Sequence, residues 1–173
     1  MERGLFDAMF IADVLAPYDT YNGNSDATVK WGVQCPVHEP ATLVPIVACA
    51  TKHLGIGVTL SNAFEHPYSI ARRLSTLDHL SSGRVAWNIV SSFNKCEFDA
   101  YGRDYVPRGD RYDMLDEYLD VCYQLWDAWE PDAIVRDRES GIFADPAKVH
   151  AVNHDGKYYK CRGRPIAYRS PQV

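Results

Sequence analysis

The chain has no block of like charge, no apolar run long enough to cross a bilayer and no paired cysteine motif. Each absence removes a class of function. Lys and Arg are scattered, and their densest group, from Arg162 to Arg169, is interrupted by Gly163 and Pro165. With a net charge of -5, a general nucleic-acid or anionic-membrane binder is disfavoured, so neither partner is expected. Without a spanning segment, no membrane insertion is expected. Met1-Glu2-Arg3-Gly4 is too short and too polar for a signal peptide. The five cysteines (Cys35, Cys49, Cys96, Cys122 and Cys161) are odd in number and form no CxxC pair, which reads as reduced thiols in a cytoplasmic protein.

Several catalytic signatures are missing as well. His38-Glu39 lacks the second histidine of a zincin, and Gly55-x-Gly57 lacks the third glycine of a dinucleotide fingerprint. No serine stands in a Gly-x-Ser-x-Gly setting. His150 and His154 have a spacing that suits a metal on a helix, but their segment reads as a hairpin, so no metal site is expected. A hydrolase built on paired carboxylates needs a second acid near Asp13, and no strand exit supplies one.

What is present is ordinary globular composition: 173 residues, 46% hydrophobic and 24% charged, enough for one domain with a real core. Three short apolar runs, Phe6 to Asp13, Leu54 to Ser61 and Arg84 to Ser92, alternate with helical patterns. That alternation predicts an α/β fold with a parallel sheet. The first run is nearly continuous in apolar residues, as in a strand buried on both faces. Gly4 before it reads as the C-terminal glycine of a preceding helix. Residues 17–36 read as a loop, and Pro40 opens a helix with a stripe of Leu43, Val44, Val47 and Ala48. His66-Pro67 opens the next helix, with a stripe of Ile70, Leu74, Leu77 and Leu80 and a cap at Gly83. A further helix begins near Asp110, its stripe running through Tyr112, Leu115, Leu119, Cys122, Trp126 and Trp129. Arg136-Asp137-Arg138-Glu139 reads as a solvated charge run. The Asn153-His154-Asp155-Gly156 signal predicts a β-hairpin from Val149 to Tyr159.

Ligands of parallel α/β sheets gather at the carboxyl ends of the strands. Asp13, Thr59 and Asn88 stand at or near those ends. From pattern alone, Asp13 is equally a turn or helix-capping residue and a ligand contact, whereas Thr59 carries only a weak signal beyond that of a β-favoured residue. Asn88 in an apolar strand needs a hydrogen-bond partner, which a ligand or a neighbouring strand would supply.

FIADV at 10–14, FEHPYSIARRLSTLDHLSSGRVAWNIVSS at 64–92 and RYDMLDEYLDVCYQLWDAW at 111–129 resemble the bacterial-luciferase-like flavin monooxygenases. The likeness is to the branch of nitrilotriacetate monooxygenase component A and the dibenzothiophene-sulfone monooxygenases. VRDRESGIFADPAKVH at 135–150 and HDGKYYKCRG at 154–163 resemble that branch's insertion. The resemblance implies part of a (β/α)8 barrel, roughly strands 2–4 with their helices. Residues 1–130 would be barrel, and 131–173 an insertion with a hairpin in the same domain.

The resemblance also implies a two-component monooxygenase. Reduced FMN comes from a separate NAD(P)H:flavin reductase, and O2 is used to oxidise a small organic substrate. Asp13, Thr59, Asn88 and Tyr112 match flavin-contacting positions. The family's usual histidine four residues before that tyrosine is replaced by Arg108, which does not donate a proton near neutral pH but suits an anion. The alternative is a truncated, non-catalytic remnant that oligomerises or binds flavin weakly. Exposed strand edges predict a homo-oligomer.

Overall fold

A computed structural model describes residues 1–172. Three strands, β1 (Ala8–Ile11), β2 (Gly55–Ser61) and β3 (Val85–Val90), form one parallel sheet in the order β1-β2-β3. The helices are α1 (Asp26–Trp31), α2 (Val44–Ala50), α3 (Pro67–Ser81), α4 (Lys95–Ala100) and α5 (Arg108–Asp127). A two-stranded antiparallel hairpin, β4 (Val152–Asp155) with β5 (Lys160–Gly163), follows. The α/β class with parallel strands is as the alternation predicts.

The chain divides into two compact units. The first comprises residues 1–64 and 84–112, and the second residues 65–83 and 113–173.

In the first unit the sheet has two unlike faces, because successive side chains alternate. The register pairs Ile56 with Val85, Val58 with Trp87 and Leu60 with Ile89. Ile56 and Val58 on this face are fully buried, as is Val44 of α2, and β2 contacts both α2 and the 3-10 turn Pro40–Leu43 ahead of it. The other face carries Phe10, Gly57, Thr59, Ala86 and Asn88. Phe10 is 62% exposed there. The first strand is therefore not buried on both faces: its four residues alternate between exposed and half-buried.

Arg84 locks this arrangement from the entrance of β3. Its guanidinium donates to Ala48 O (3.0 Å), Thr51 Oγ1 (2.9 Å) and Leu54 O (2.9 Å), placing a cation at the C-terminus of α2 where the helix dipole favours it. Glu2 does similar work at the entrance of β2, accepting the backbone N–H groups of Lys52 and Leu54.

Gly4 is not a helix C-cap. It ends the 3-10 turn Glu2–Gly4, and the left-handed residue is Leu5, at φ 61°. The segment read as a loop contains α1, a helix of six residues, too short for an apolar period to show. In α2 only Val44 and Ala48 of the expected stripe are buried, and Leu43 is exposed.

In the second unit α3 begins as expected. His66 Nδ1 accepts the Tyr68 N–H (3.2 Å) and Pro67 occupies the first turn. Its end is a double left-handed turn, Ser82 at φ 56° and Gly83 at φ 78°, with Gly83 N donating to Asp78 O (2.9 Å). Ile70, Leu74 and Leu77 are buried, but Leu80 is 56% exposed.

The α5 helix starts at Arg108, so Asp110 lies inside its first turn rather than capping it. The buried stripe is Tyr118, Val121, Cys122 and Leu125, continued by Ala128 just past the helix and sharing only Cys122 with the predicted one, and Tyr112 is 51% exposed. The Cys122 thiol, with its pKa pushed up to about 12 by burial and by the nearby Cys161, donates to Pro67 O (3.8 Å). Trp126 Nε1 donates to Ala71 O (3.1 Å), so α5 and α3 are joined through backbone carbonyls. The hairpin turn falls at residues 156–159, beyond the predicted position. Asn153, His154 and Asp155 lie within β4 itself.

Candidate functional site

All five residues singled out from the sequence lie in the first unit. Thr59 and Asn88 are direct register partners on the open face of the sheet. The Asn88 Nδ2 amide donates to Thr59 Oγ1 (3.0 Å), and the Thr59 hydroxyl donates onward to Ile11 O (2.9 Å). One relay thus crosses all three strands near their carboxyl ends and finishes two residues before Asp13. The buried hydroxyl satisfies a carbonyl at the end of β1, where the ladder gives out.

Asp13 is half-buried. Burial raises its pKa, the adjacent Val14 N–H offsets part of that rise, and the negative charges of Glu39 and Glu97 add to it.

Arg108 and Tyr112 form a second pair one helical turn apart at the start of α5. The guanidinium lies over the phenol ring at 5.7 Å. Among the described residues, no hydrogen bond joins this pair to Asp13, Thr59 or Asn88. An aromatic cluster sets the place of the α5 start. Phe98 meets Phe64 (5.1 Å) and Tyr105 (5.3 Å) edge-on, and Phe64 stacks on Tyr101 (4.2 Å). Arg103 donates to Ala63 O and Phe64 O just past β2, and Arg111 donates to Tyr105 Oη (3.0 Å) and Val106 O (3.1 Å).

A polar layer lies at the strand exits, of which the sequence pointed only to Ser92, as a loop serine beside Ser91 that is more often structural. Ser61 and Ser92 share a hydroxyl hydrogen bond (2.9 Å), both side chains being buried. Asn62 Oδ1, Asn94 Nδ2 and Arg111 Nε are buried without a protein partner. Glu97, also buried, accepts the Leu15 N–H (3.2 Å) on one oxygen and the Asn94 N–H (3.3 Å) on the other. Asn94-x-x-Glu97 is a capping-box spacing that was open to reading in the sequence. The serines and asparagines carry no comparable signal.

A flat aromatic ligand fits the open face. Gly57 and Ala86 leave it bare, Phe10 offers an exposed ring, and the half-buried Asn88, held by the buried Thr59, has a carboxamide oxygen that would suit a donor. At Gly57 an added Cβ would come within 3.4 Å of both Met9 O and the Phe10 ring, so backbone and ring already lie close at this position. The orphaned amide atoms of Asn62 and Asn94 at the strand exits fit a ligand rich in polar atoms. No group of three or more metal-ligating side chains occurs among the described residues. His150 and His154 instead face Glu130 (2.7 Å) and Glu117 (3.0 Å).

Residues 1–173 match the luciferase-like monooxygenase family. The chain belongs to that family. This luciferase-like chain is 47% identical to the long-chain alkane monooxygenase of Geobacillus thermodenitrificans (strain NG80-2) over 99% of its own length and 40% of that relative's. It is 45% identical to the dibenzothiophene-sulfone monooxygenase of Rhodococcus erythropolis over 99% of its length and 38% of the relative's.

The crystal structure of long-chain alkane monooxygenase superposes with a TM-score of 0.95 at 47% identity, over 98% of this chain and 40% of that one. A riboflavin lyase solved with modified FMN and riboflavin superposes with a TM-score of 0.89 at 40% identity, over 95% of this chain and 37% of the other. The luciferase-like chain thus spans about 40% of the relatives it matches, and its three parallel strands and their helices are part of a (β/α)8 barrel. Among the described residues no helix is long and apolar enough to cross a membrane.

Proposed function

We propose that this chain forms one wall of a flavin site in a two-component, cytoplasmic monooxygenase. Reduced FMN, delivered by a separate NAD(P)H:flavin reductase, and O2 would serve to oxidise a small organic substrate. Bound FMN supplies the redox chemistry, delivering one oxygen atom from O2 to the substrate. The protein's own residues bind, orient and exclude water. The observation that carries this reading is the Asn88–Thr59–Ile11 relay, which brings the ends of three parallel strands together on a bare face.

In this reading Asp13, when ionised, accepts from polar N–H groups of the ring system. Asn88, held in place by Thr59, fixes its edge, with the Asn88 carboxamide oxygen left to receive a donor. Arg108, held over Tyr112, supplies a permanent cation for an anionic group of the ligand. The riboflavin lyase with its modified FMN supports a flavin as the occupant. The two monooxygenases named above support oxygenation as the reaction.

Anaerobic titration with reduced FMN tests the proposal. Submillimolar binding that weakens in Asp13→Ala is expected. Absence of binding overturns the flavin reading, and an unchanged affinity in Asp13→Ala removes that residue from the site.

The chain is further proposed to be a homo-oligomer, because β1 and β3 each have one edge unpaired among the described residues.

A further inference from the structure

We infer that Glu97 is a positioning residue for Asp13, strapping the exit of β1 to the exit of β3. This rests on the flavin reading above for its functional consequence, but not for its geometry. β1 and β3 are not neighbours in the sheet; β2 separates them. Past the strand ends the ladder no longer fixes their spacing, and Glu97 takes over. One carboxylate oxygen receives Leu15 N–H, two residues beyond Asp13, from a position 82 residues away in sequence. The other receives Asn94 N–H, four residues beyond β3.

Glu97 is 5% exposed, and the hydrogen bonds its carboxylate accepts come from the backbone amides of Leu15 and Asn94. A neutral glutamine offers only one acceptor oxygen. At the second amide it would set an N–H against an N–H. The capping of α4 therefore does not by itself account for a buried charge: a helix of six residues would be capped by Asn94 and a neutral side chain at lower desolvation cost.

The charge has a second consequence at Asp13. The charged groups acting on Asp13 are Glu97 on α4 and Glu39 in the loop before α2, both negative, together with the Val14 N–H dipole. Burial and these two carboxylates hold the Asp13 proton on to higher pH than an ordinary aspartate. Glu97 thereby holds the place of the β1 exit and adds, after burial and Glu39, to the rise of the pH at which Asp13 becomes an acceptor.

The test uses the 173-residue chain with 13C-labelled aspartate. In wild type the Asp13 carboxyl resonance titrates above the ordinary aspartate range. In Glu97→Gln that midpoint moves to lower pH, and in Glu97→Asp, which keeps the charge, it moves less. A helix cap with no relation to Asp13 predicts lowered stability with the midpoint in place, and that result overturns the inference.

Amide exchange at Leu15 and Asn94 supplies the geometric arm: one of the two loses protection in Glu97→Gln, both in Glu97→Ala. Unchanged protection at Leu15 in Glu97→Ala also overturns it. If Glu97→Ala does not fold, Glu97→Gln carries both arms. At a pH where Asp13 is ionised in every variant, reduced-FMN affinity falls on the order of tenfold in Glu97→Gln. An unchanged affinity there overturns the positioning role. If wild type binds no FMN, the flavin reading fails, while the Asp13 midpoint and the Leu15 amide still decide the strap.

Discussion

Thr59 uses both capacities of its hydroxyl, donating to Ile11 O and accepting from Asn88 Nδ2. Valine has its shape without either capacity. Thr59→Val is therefore expected to cost about 1 kcal/mol in urea unfolding, and Thr59→Ser to stay close to wild type. Equal losses in both would mean that packing of the methyl group, not the relay, is what matters.

Gly156 presents the opposite case, a residue defined by the lack of a side chain. A Cβ there would strike the Glu117 carboxylate and His154 Nε2. Glu117 has little freedom to withdraw, because it also accepts Tyr158 N–H (3.0 Å) and Tyr159 N–H (2.8 Å). Gly156→Ala should cost about 1–3 kcal/mol by overpacking, and most of that cost should disappear in the Glu117→Ala background. Additive effects across that double-mutant cycle would show that the collision is relieved some other way. At this scale the sequence was informative where a residue closes a strand, as with Asp13, Thr59 and Asn88. It was silent on Gly156, whose role depends on the distant Glu117, and on Ser61, whose partner Ser92 lies 31 residues away.

Helices α3 and α5 show how far periodicity carries at the level of elements. The apolar repeat located both helices, yet the predicted stripe of α5 ran through residues that border the buried one. Tyr118, Val121, Cys122 and Leu125 make the buried row, and a helix with apolar residues on two adjacent rows leaves the choice to its packing partner. In α3 the same ambiguity falls on Leu80, which faces solvent although its neighbour Ser81 is fully buried. Leu74→Ala is expected to cost about 2–5 kcal/mol and Leu80→Ala less than about 0.5 kcal/mol, read from denaturant midpoints. Comparable losses at the two positions would place Leu80 in a core.

The β4–β5 hairpin is pinned to α5 by Glu117. Burial opposes ionisation of that carboxylate, but the His154 hydrogen bond and the Tyr159 and Tyr158 amides outweigh it, so its pKa lies below the ordinary 4.5. A carboxylate with a depressed pKa in the folded state stabilises fully above its unfolded value and loses that contribution as pH falls through the folded one. The protection factors of the Tyr158 and Tyr159 amides, taken relative to the intrinsic exchange rate at each pH, should therefore fall on acidification below the ordinary glutamate range, and Glu117→Gln should show that lower protection already at neutral pH. Protection at these two amides that is indifferent to acid would assign the hairpin's anchorage to other contacts.

For the molecule as a whole, the fold class and the family were legible because they rest on long segments in a fixed order, which no local ambiguity of one residue disturbs. The exposure of one sheet face was not, because β1 reads as apolar throughout and an apolar run does not say what covers it. Phe10 stands 62% exposed on that face, and Phe93, just past β3, is 65% exposed. An exposed ring beside an unpaired parallel edge is a surface on which a second copy gains apolar burial and strand pairing together. A charge at Phe10 opposes both without touching the helix-covered face of the sheet, where Ile56 and Val58 lie. Phe10→Lys should therefore shift the chain toward monomer in sedimentation velocity while its thermal midpoint moves little, since the ring contributes almost nothing to the intramolecular core. A monomeric wild type at the same concentration would remove the homo-oligomer. An oligomer that persists unchanged in Phe10→Lys would move the contact away from this face and leave the ring free to stack against a flat ligand.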